Sequence, residues 1–209
     1  MVLHGYFRST ASWRVRIVLN LKGLVAEQVF HHLRKGEQRA PAYLALNPQG
    51  LLPTLVTDDG AALTQSLAIC EYLDELHPEP ALLPADPLAR ARVRAVAQAI
   101  ACDIHPVQNL KVLQNLRDLG LAEEAVQSWA ATVIDEGLDA VDRLLAGSPG
   151  PFAFGPTPTL ADILIVPQLG NARRFNVDLR WPRLLEIEAA CLALDAFKSA
   201  APGAQPDAE

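Results

Sequence analysis

The segment Tyr6-Phe7-Arg8-Ser9-Thr10-Ala11-Ser12-Trp13-Arg14-Val15-Arg16 sets hydroxyls and guanidinium groups where a short apolar run gives way to an amphipathic one. A helix starting there presents unpaired backbone N–H groups and the positive end of its dipole, which together favour an anion, and Ser9 can add a hydroxyl donor. On residue type alone, a hydroxyl in this place is most often a helix N-cap. His31 and His32 close a strand-like run with no Cys or carboxylate arranged as co-ligands, so they read as surface or internally satisfied histidines, not a metal pair. His4 and His77 are equally uninformative. No metal-ligand spacing, phosphate loop, dinucleotide fingerprint or nucleophile elbow occurs, so any catalysis must borrow its reactive group.

These residues need a scaffold, and 209 of them can bury a full core as one large domain or two small ones. Half are apolar and 20% charged, a globular composition, and with only 6% aromatic the core must be aliphatic. Cys70, Cys102 and Cys191 are odd in number and widely spaced, which fits neither a disulfide framework nor a thiolate metal site and suits a reducing compartment. Neither a leader segment nor a membrane-spanning run is read, so the expected location is cytoplasmic. A net charge of −6 disfavours nucleic acid and anionic membranes as partners, so a small anionic ligand must meet local positive charge. The arginines at 8/14/16, 90/92/94 and 173/174 interrupt apolar residues and read mostly as solvated helix faces.

Val2 to Tyr6 reads as a strand, and Trp13 to Leu21, ending at Gly23, as a helix. Val25 to Leu33 is a second strand and Ala40 to Leu46 a short helix, completing a parallel β-α-β unit. Thr54 to Thr57 and Ala61 to Leu63 flank Asp58-Asp59-Gly60, whose Asp-Gly pair accommodates the positive φ of a hairpin turn. Ala68, Ile69, Tyr72, Leu73 and Leu76 then form one face of a helix stopped by Pro78. The order βαβαββα occupies residues 1–80, a proline-rich linker 81–87, and an all-helical domain 88–209. Helices are expected over 89–117, 122–146, 159–168 and 184–199, with a frayed tail from Ala201. Thr159 and Asp162 have capping-box spacing and read as a fold-stabilising pair.

Tyr6 to Leu19, Asn47-Pro48, Leu52-Pro53-Thr54-Leu55, Gln65-Ser66-Leu67-Ala68-Ile69 and Thr159-Leu160-Ala161-Asp162 resemble zeta-class glutathione transferases, over almost the whole chain. Cys102-Asp103-Ile104-His105-Pro106, Ala172-Arg173-Arg174-Phe175 and Leu194-Asp195-Ala196-Phe197 are similar to the bacterial maleylpyruvate isomerases of that class. The resemblance implies an α+β glutathione transferase fold, with a thioredoxin-like N-terminal domain binding glutathione and an all-α C-terminal domain binding substrate, in a homodimer. Two positions depart from the pattern: Ala11 stands where the family usually has Cys, and Thr10 replaces the usual second serine.

By the same resemblance, Ser9 addresses the glutathione sulfur, the Leu52 backbone and the cis-proline Pro53 meet its peptide, and Gln65 and Ser66 hold its γ-glutamyl end. Gln38, Gln49, His105 and Asn109 match further cofactor contacts. Arg8 and Arg174 match the arginines that bind substrate carboxylates, a task suited to planar guanidinium forks, while Arg173 reads as a salt bridge or surface group. No metal is implied. A free thiol has a pKa near 8.5, so lowering it by about two units takes roughly 2.7 kcal/mol, within reach of a hydroxyl donor and a helix N-terminus acting together. The implied activity, placed in aromatic compound catabolism, is cis–trans isomerisation of a small unsaturated diacid, maleylpyruvate or maleylacetoacetate, by thiolate addition, bond rotation and elimination. A general transferase acting on small electrophiles and a non-catalytic glutathione-binding protein are the alternatives; thiol loss and lack of turnover would distinguish them.

Overall fold

The computed structural model describes residues 1–209, which divide into two compact units, Met1–Leu82 with Leu192–Glu209, and Leu83–Cys191. The first unit is built in the order β1 (Val2–Gly5), α1 (Thr10–Leu21), β2 (Glu27–Phe30), α2 (Pro41–Leu46), β3 (Thr54–Val56), β4 (Ala62–Thr64) and α3 (Ser66–Leu76), which is the expected βαβαββα. The sheet order is β2-β1-β3-β4, parallel between β1 and β2 and antiparallel elsewhere. Leu3 pairs with Leu55 in register, and both side chains are buried. Val15, Ile17 and Val18 of α1 and Ile69, Cys70 and Leu73 of α3 complete the core, where each large aliphatic side chain contributes about 1.5–3 kcal/mol of burial. Gly60 takes φ 87° in the hairpin turn, as the Asp-Gly pair requires. β2 is shorter than its apolar run suggests, because the chain turns after Phe30 into 3₁₀ segments at Leu33–Lys35 and Glu37–Arg39.

The helical unit comprises α4 (Pro87–Gln98), a π-helical stretch Ala99–Ile104, α5 (Leu110–Asp118), α6 (Glu123–Leu144), α7 (Leu160–Arg174) and α8 (Pro182–Leu192). The single helix expected over 89–117 is therefore three pieces. Pro106 lacks the amide hydrogen that would continue the ladder, and in the turn ahead of it His105 keeps helical backbone (φ −57°, ψ −47°) while its N–H reaches the more distant Ile100 O at 2.9 Å. α7 continues through Pro167 to Arg174, past the expected end at Gln168, and nearly all its residues through Ala172 are buried, as befits a central helix. Asp162 caps it from within: its carboxylate accepts from Thr159 N (2.7 Å), Thr159 Oγ1 (2.9 Å) and Ala153 N (2.8 Å). Those bonds serve the fold, although burial raises the Asp162 pKa.

Two sequence expectations are overturned in the first unit. The C-terminal stretch, read as the end of the helical domain and as a frayed tail, instead packs on the N-terminal unit. There α9 (Asp195–Ala200) lies against α1, Asn20 donates to Ala196 O and Ser199 Oγ, and Gln205 is buried with its amide on Ser199 O and Ala201 O. Arg14 and Arg16, read as parts of a solvated face, are 1% and 5% exposed. Their guanidinium groups meet backbone carbonyls and a hydroxyl supplied by remote parts of the chain.

Candidate functional site

Ser9 is the N-cap of α1, with extended backbone and its Oγ accepting the Ser12 amide hydrogen at 3.1 Å. A hydroxyl has two lone pairs and one proton, so the cap bond uses an acceptor position and leaves the O–H to donate elsewhere. Capping and ligand binding are compatible at this residue. Next to it, Thr10 Oγ1 is buried with no hydrogen-bond partner. Arg8, half-buried, sits with its guanidinium carbon 5.1 Å from the centroid of the Phe7 ring.

The Leu52–Pro53 peptide is cis, and both residues are buried. Two side chains on one face of the α2 end hold the preceding carbonyl: Tyr43 Oη donates to Leu51 O at 2.5 Å and Asn47 Nδ2 to the same oxygen at 2.8 Å. Asn47 Oδ1 also accepts from Gln49 N at 3.1 Å. Tyr43 is a site-supporting residue that the sequence reading misses; its i,i+4 spacing to Asn47 is the signal that could have found it.

Gln65 adopts φ 68°, a left-handed conformation that costs a non-glycine residue on the order of 1–3 kcal/mol and marks a constrained position. Its Nε2 donates to Gln49 Oε1 at 2.9 Å, so these two candidates are brought together. Ser66 opens α3, and its buried Oγ accepts from Arg14 Nη1 at 3.1 Å, leaving the Ser66 proton available beside a guanidinium charge. Gln38 Oε1 is buried without a partner, and its backbone carbonyl lies against Gly50.

The remaining candidates belong to the helical unit. His105 follows the π-helical stretch, Asn109 caps α5 by accepting from Leu110 N at 2.7 Å, and Arg174 is the exposed last residue of α7. Arg173 forms a bidentate pair with Glu188 at 2.5 and 2.6 Å, the salt bridge expected of it. His4, His31 and His32 of the first unit are partnered internally. His4 Nδ1 and His31 Nε2 are 2.9 Å apart over the Tyr43 ring, and His32 Nε2 meets Glu209 at 2.9 Å. Burial lowers the pKa of both His4 and His31.

Residues 8–76 match the family model for the glutathione S-transferase N-terminal domain, and residues 88–190 that for the C-terminal domain. The chain is 51% identical over 212 residues to a maleylpyruvate isomerase from Ralstonia sp., covering 99% of each protein. It is 50% identical over 210 residues to a maleylacetoacetate isomerase from Pseudomonas aeruginosa, covering 99% of this chain and 98% of that one. A solved maleylacetoacetate isomerase of Methylobacterium extorquens AM1, with malonate and glutathione bound, superposes with a TM-score of 0.96 at 39% identity over the full length of both chains.

Proposed function

Because this chain belongs to the glutathione S-transferase family, we propose that it is a glutathione-dependent cis–trans isomerase, converting maleylpyruvate or maleylacetoacetate to the fumaryl isomer. The observation that carries this is Ser9, whose cap bond to Ser12 leaves one hydroxyl proton at the helix N-terminus, with some 50% identity to isomerases naming the reaction.

The first unit suits glutathione on its own geometry. Gln38 Oε1 and Thr10 Oγ1 are buried polar atoms without partners, Gln65 is held in a strained conformation, and Ser66 starts a helix next to Arg14. When bound, glutathione supplies a soft thiolate that adds to a conjugated double bond, lets it rotate and departs unchanged. Ser9 donates to the sulfur and keeps it ionised, with help from the α1 dipole. Backbone groups of Leu52, fixed by Pro53 and by the Tyr43 and Asn47 bonds to Leu51, meet the peptide portion. Gln65 and Ser66 hold the γ-glutamyl end, with Gln38, Gln49, His105 and Asn109 as additional contacts. Arg8 and Arg174 take the substrate carboxylates and offset negative charge that develops as the bond opens.

The N-terminal unit is thus assigned most of the cofactor contacts and Arg8, and the helical unit Arg174 with the additional contacts His105 and Asn109, in a cytoplasmic homodimer. Three free cysteines agree with a reducing compartment. Each purified cis acid, followed by ultraviolet absorbance with catalytic glutathione, tests the reaction. Isomerisation at constant total thiol is the expected result. Stoichiometric thiol loss on electrophiles without isomerisation would instead make the protein a conjugating transferase.

A further inference from the structure

Both the amide and the carbonyl of Phe7 are held by charged side chains. Asp207 Oδ2 accepts from Phe7 N at 2.9 Å, and Arg16 Nη2 donates to Phe7 O at 3.1 Å. Arg16 also reaches Tyr6 O at 3.4 Å and, through Nε, Ala200 O at 3.0 Å, so one guanidinium group ties the β1–α1 loop to the end of α9. The tail then runs through the 3₁₀ turn Pro202–Ala204 and the buried Gln205, which returns Asp207 to the loop. Burial draws the Arg16 pKa down to about 10, against an opposing pull from Asp207, so Arg16 remains a cation at neutral pH.

The two residues that follow Phe7 are Arg8 and Ser9, and neither Arg16 nor Asp207 is needed to explain the sheet or its core. Ser9 N itself bonds to Tyr6 O at 3.0 Å, the same carbonyl that Arg16 approaches, so displacement of Tyr6–Phe7 is transmitted directly to the hydroxyl-bearing residue. Charge-assisted bonds hold their geometry more tightly than neutral ones. Resting on the isomerase reading above, we propose that Asp207 and Arg16 are positioning residues for the reaction, a clamp between the C-terminal tail and the Tyr6–Phe7 backbone that orients Ser9 and Arg8. The competing account is a strap that contributes stability alone.

Asp207 is partly exposed, so Asp207→Ala is the variant of choice, with a chain ending at Pro206 as its duplicate and Asp207→Asn as the conservative form that keeps an acceptor oxygen. The measurements are kcat and KM, the ultraviolet thiolate titration of enzyme-bound glutathione, thermal stability, and amide exchange of Phe7 to Ser9 in the glutathione-free protein. The clamp predicts that Asp207→Ala and the shortened chain lose roughly fivefold or more in kcat with a smaller change in glutathione KM. It also predicts a raised bound-thiol pKa and faster exchange at these amides. Asp207→Asn restores most of the loss. Wild-type kcat and bound-thiol pKa in a folded Asp207→Ala, even at lower thermal stability, would leave only the strap. A wild-type protein inactive on both maleyl acids would overturn the isomerase reading and the clamp together, whereas an active wild type with an unaffected variant overturns the clamp alone.

Discussion

Gly137 of α6 faces Ile104, the last residue of the π-helical stretch, so closely that a methyl group added at position 137 would overlap the Ile104 side chain. Ile104 lies in the packed interior of the helical unit, at 2% exposed, and Gly137 is half-buried. The missing side chain on α6 is therefore what lets the π turn sit against it, immediately ahead of His105.

Gly137→Ala is accordingly expected to destabilise the protein by about 1–3 kcal/mol, despite the better helix propensity of alanine, because overpacking outweighs that gain. Ile104→Val combined with it should recover part of the loss. Urea denaturation of the three variants measures the coupling, and simple additivity would show that the two side chains do not collide.

Ser9→Ala removes both the α1 cap and the hydroxyl proton. The cap is worth about 1 kcal/mol of stability, so a folded protein that still binds glutathione is expected. Isomerisation should be lost and the bound thiol pKa should rise. Calorimetric binding together with absorbance titration separates these effects, and a variant with unchanged thiol pKa and turnover would remove Ser9 from the chemistry.

Arg174→Ala should lower kcat/KM for the maleyl substrate roughly tenfold or more, as expected for a charge-assisted bond of about 1.5–3 kcal/mol, with little change in glutathione affinity. Arg174→Lys restores the charge without the two-donor fork and should rescue only partly. An equal loss of glutathione affinity would reassign Arg174 to the cofactor or to folding.

Cys70 and Cys191 are fully buried, and burial holds both thiols protonated at neutral pH, the Cys70 pKa being pushed up to about 12. Only the exposed Cys102 should react rapidly with a thiol-specific chromogenic reagent in the native state. Because Ala11 provides no thiol, replacing all three cysteines with Ala should leave a folded enzyme active. A folded, glutathione-binding but inactive triple variant would contradict this.

The His4–His31 pair makes stability depend on pH. Their folded pKa values lie below the ordinary 6.5, first through burial and, for His4, also through the His31 charge, with Glu27 and Glu37 pulling the other way. The unfolded chain thus binds protons more readily, so the stability they contribute is present above the unfolded pKa and is lost as pH falls through the folded values. Urea midpoints should drop from pH 7 to pH 5, and replacing both histidines with Gln should flatten that drop. An undiminished slope in the double variant would assign it to other groups.

The sequence alone determined the order of elements in the first unit, because each is announced by its own neighbours. Apolar periodicity marks α1 and α3, Asp59-Gly60 marks the hairpin, and Pro78 stops α3. The cofactor candidates came from the family resemblance, since Ser9, Leu52-Pro53 and Gln65-Ser66 fall in short contiguous motifs that it matches, whereas residue type alone made Ser9 only an N-cap. Tertiary structure decided what local pattern cannot encode. Phe7 N and Asp207 are 200 residues apart, and Arg14 and Ser66 are 52 apart, so neither partner predicts the other. A guanidinium group buried among remote carbonyls looks, in sequence, like one on a solvated helix face, and a tail rich in small residues looks frayed until α1 offers it a surface. The π-helical turn ahead of Pro106 likewise seats Ile104 against Gly137 of α6, a contact that neither position announces in sequence.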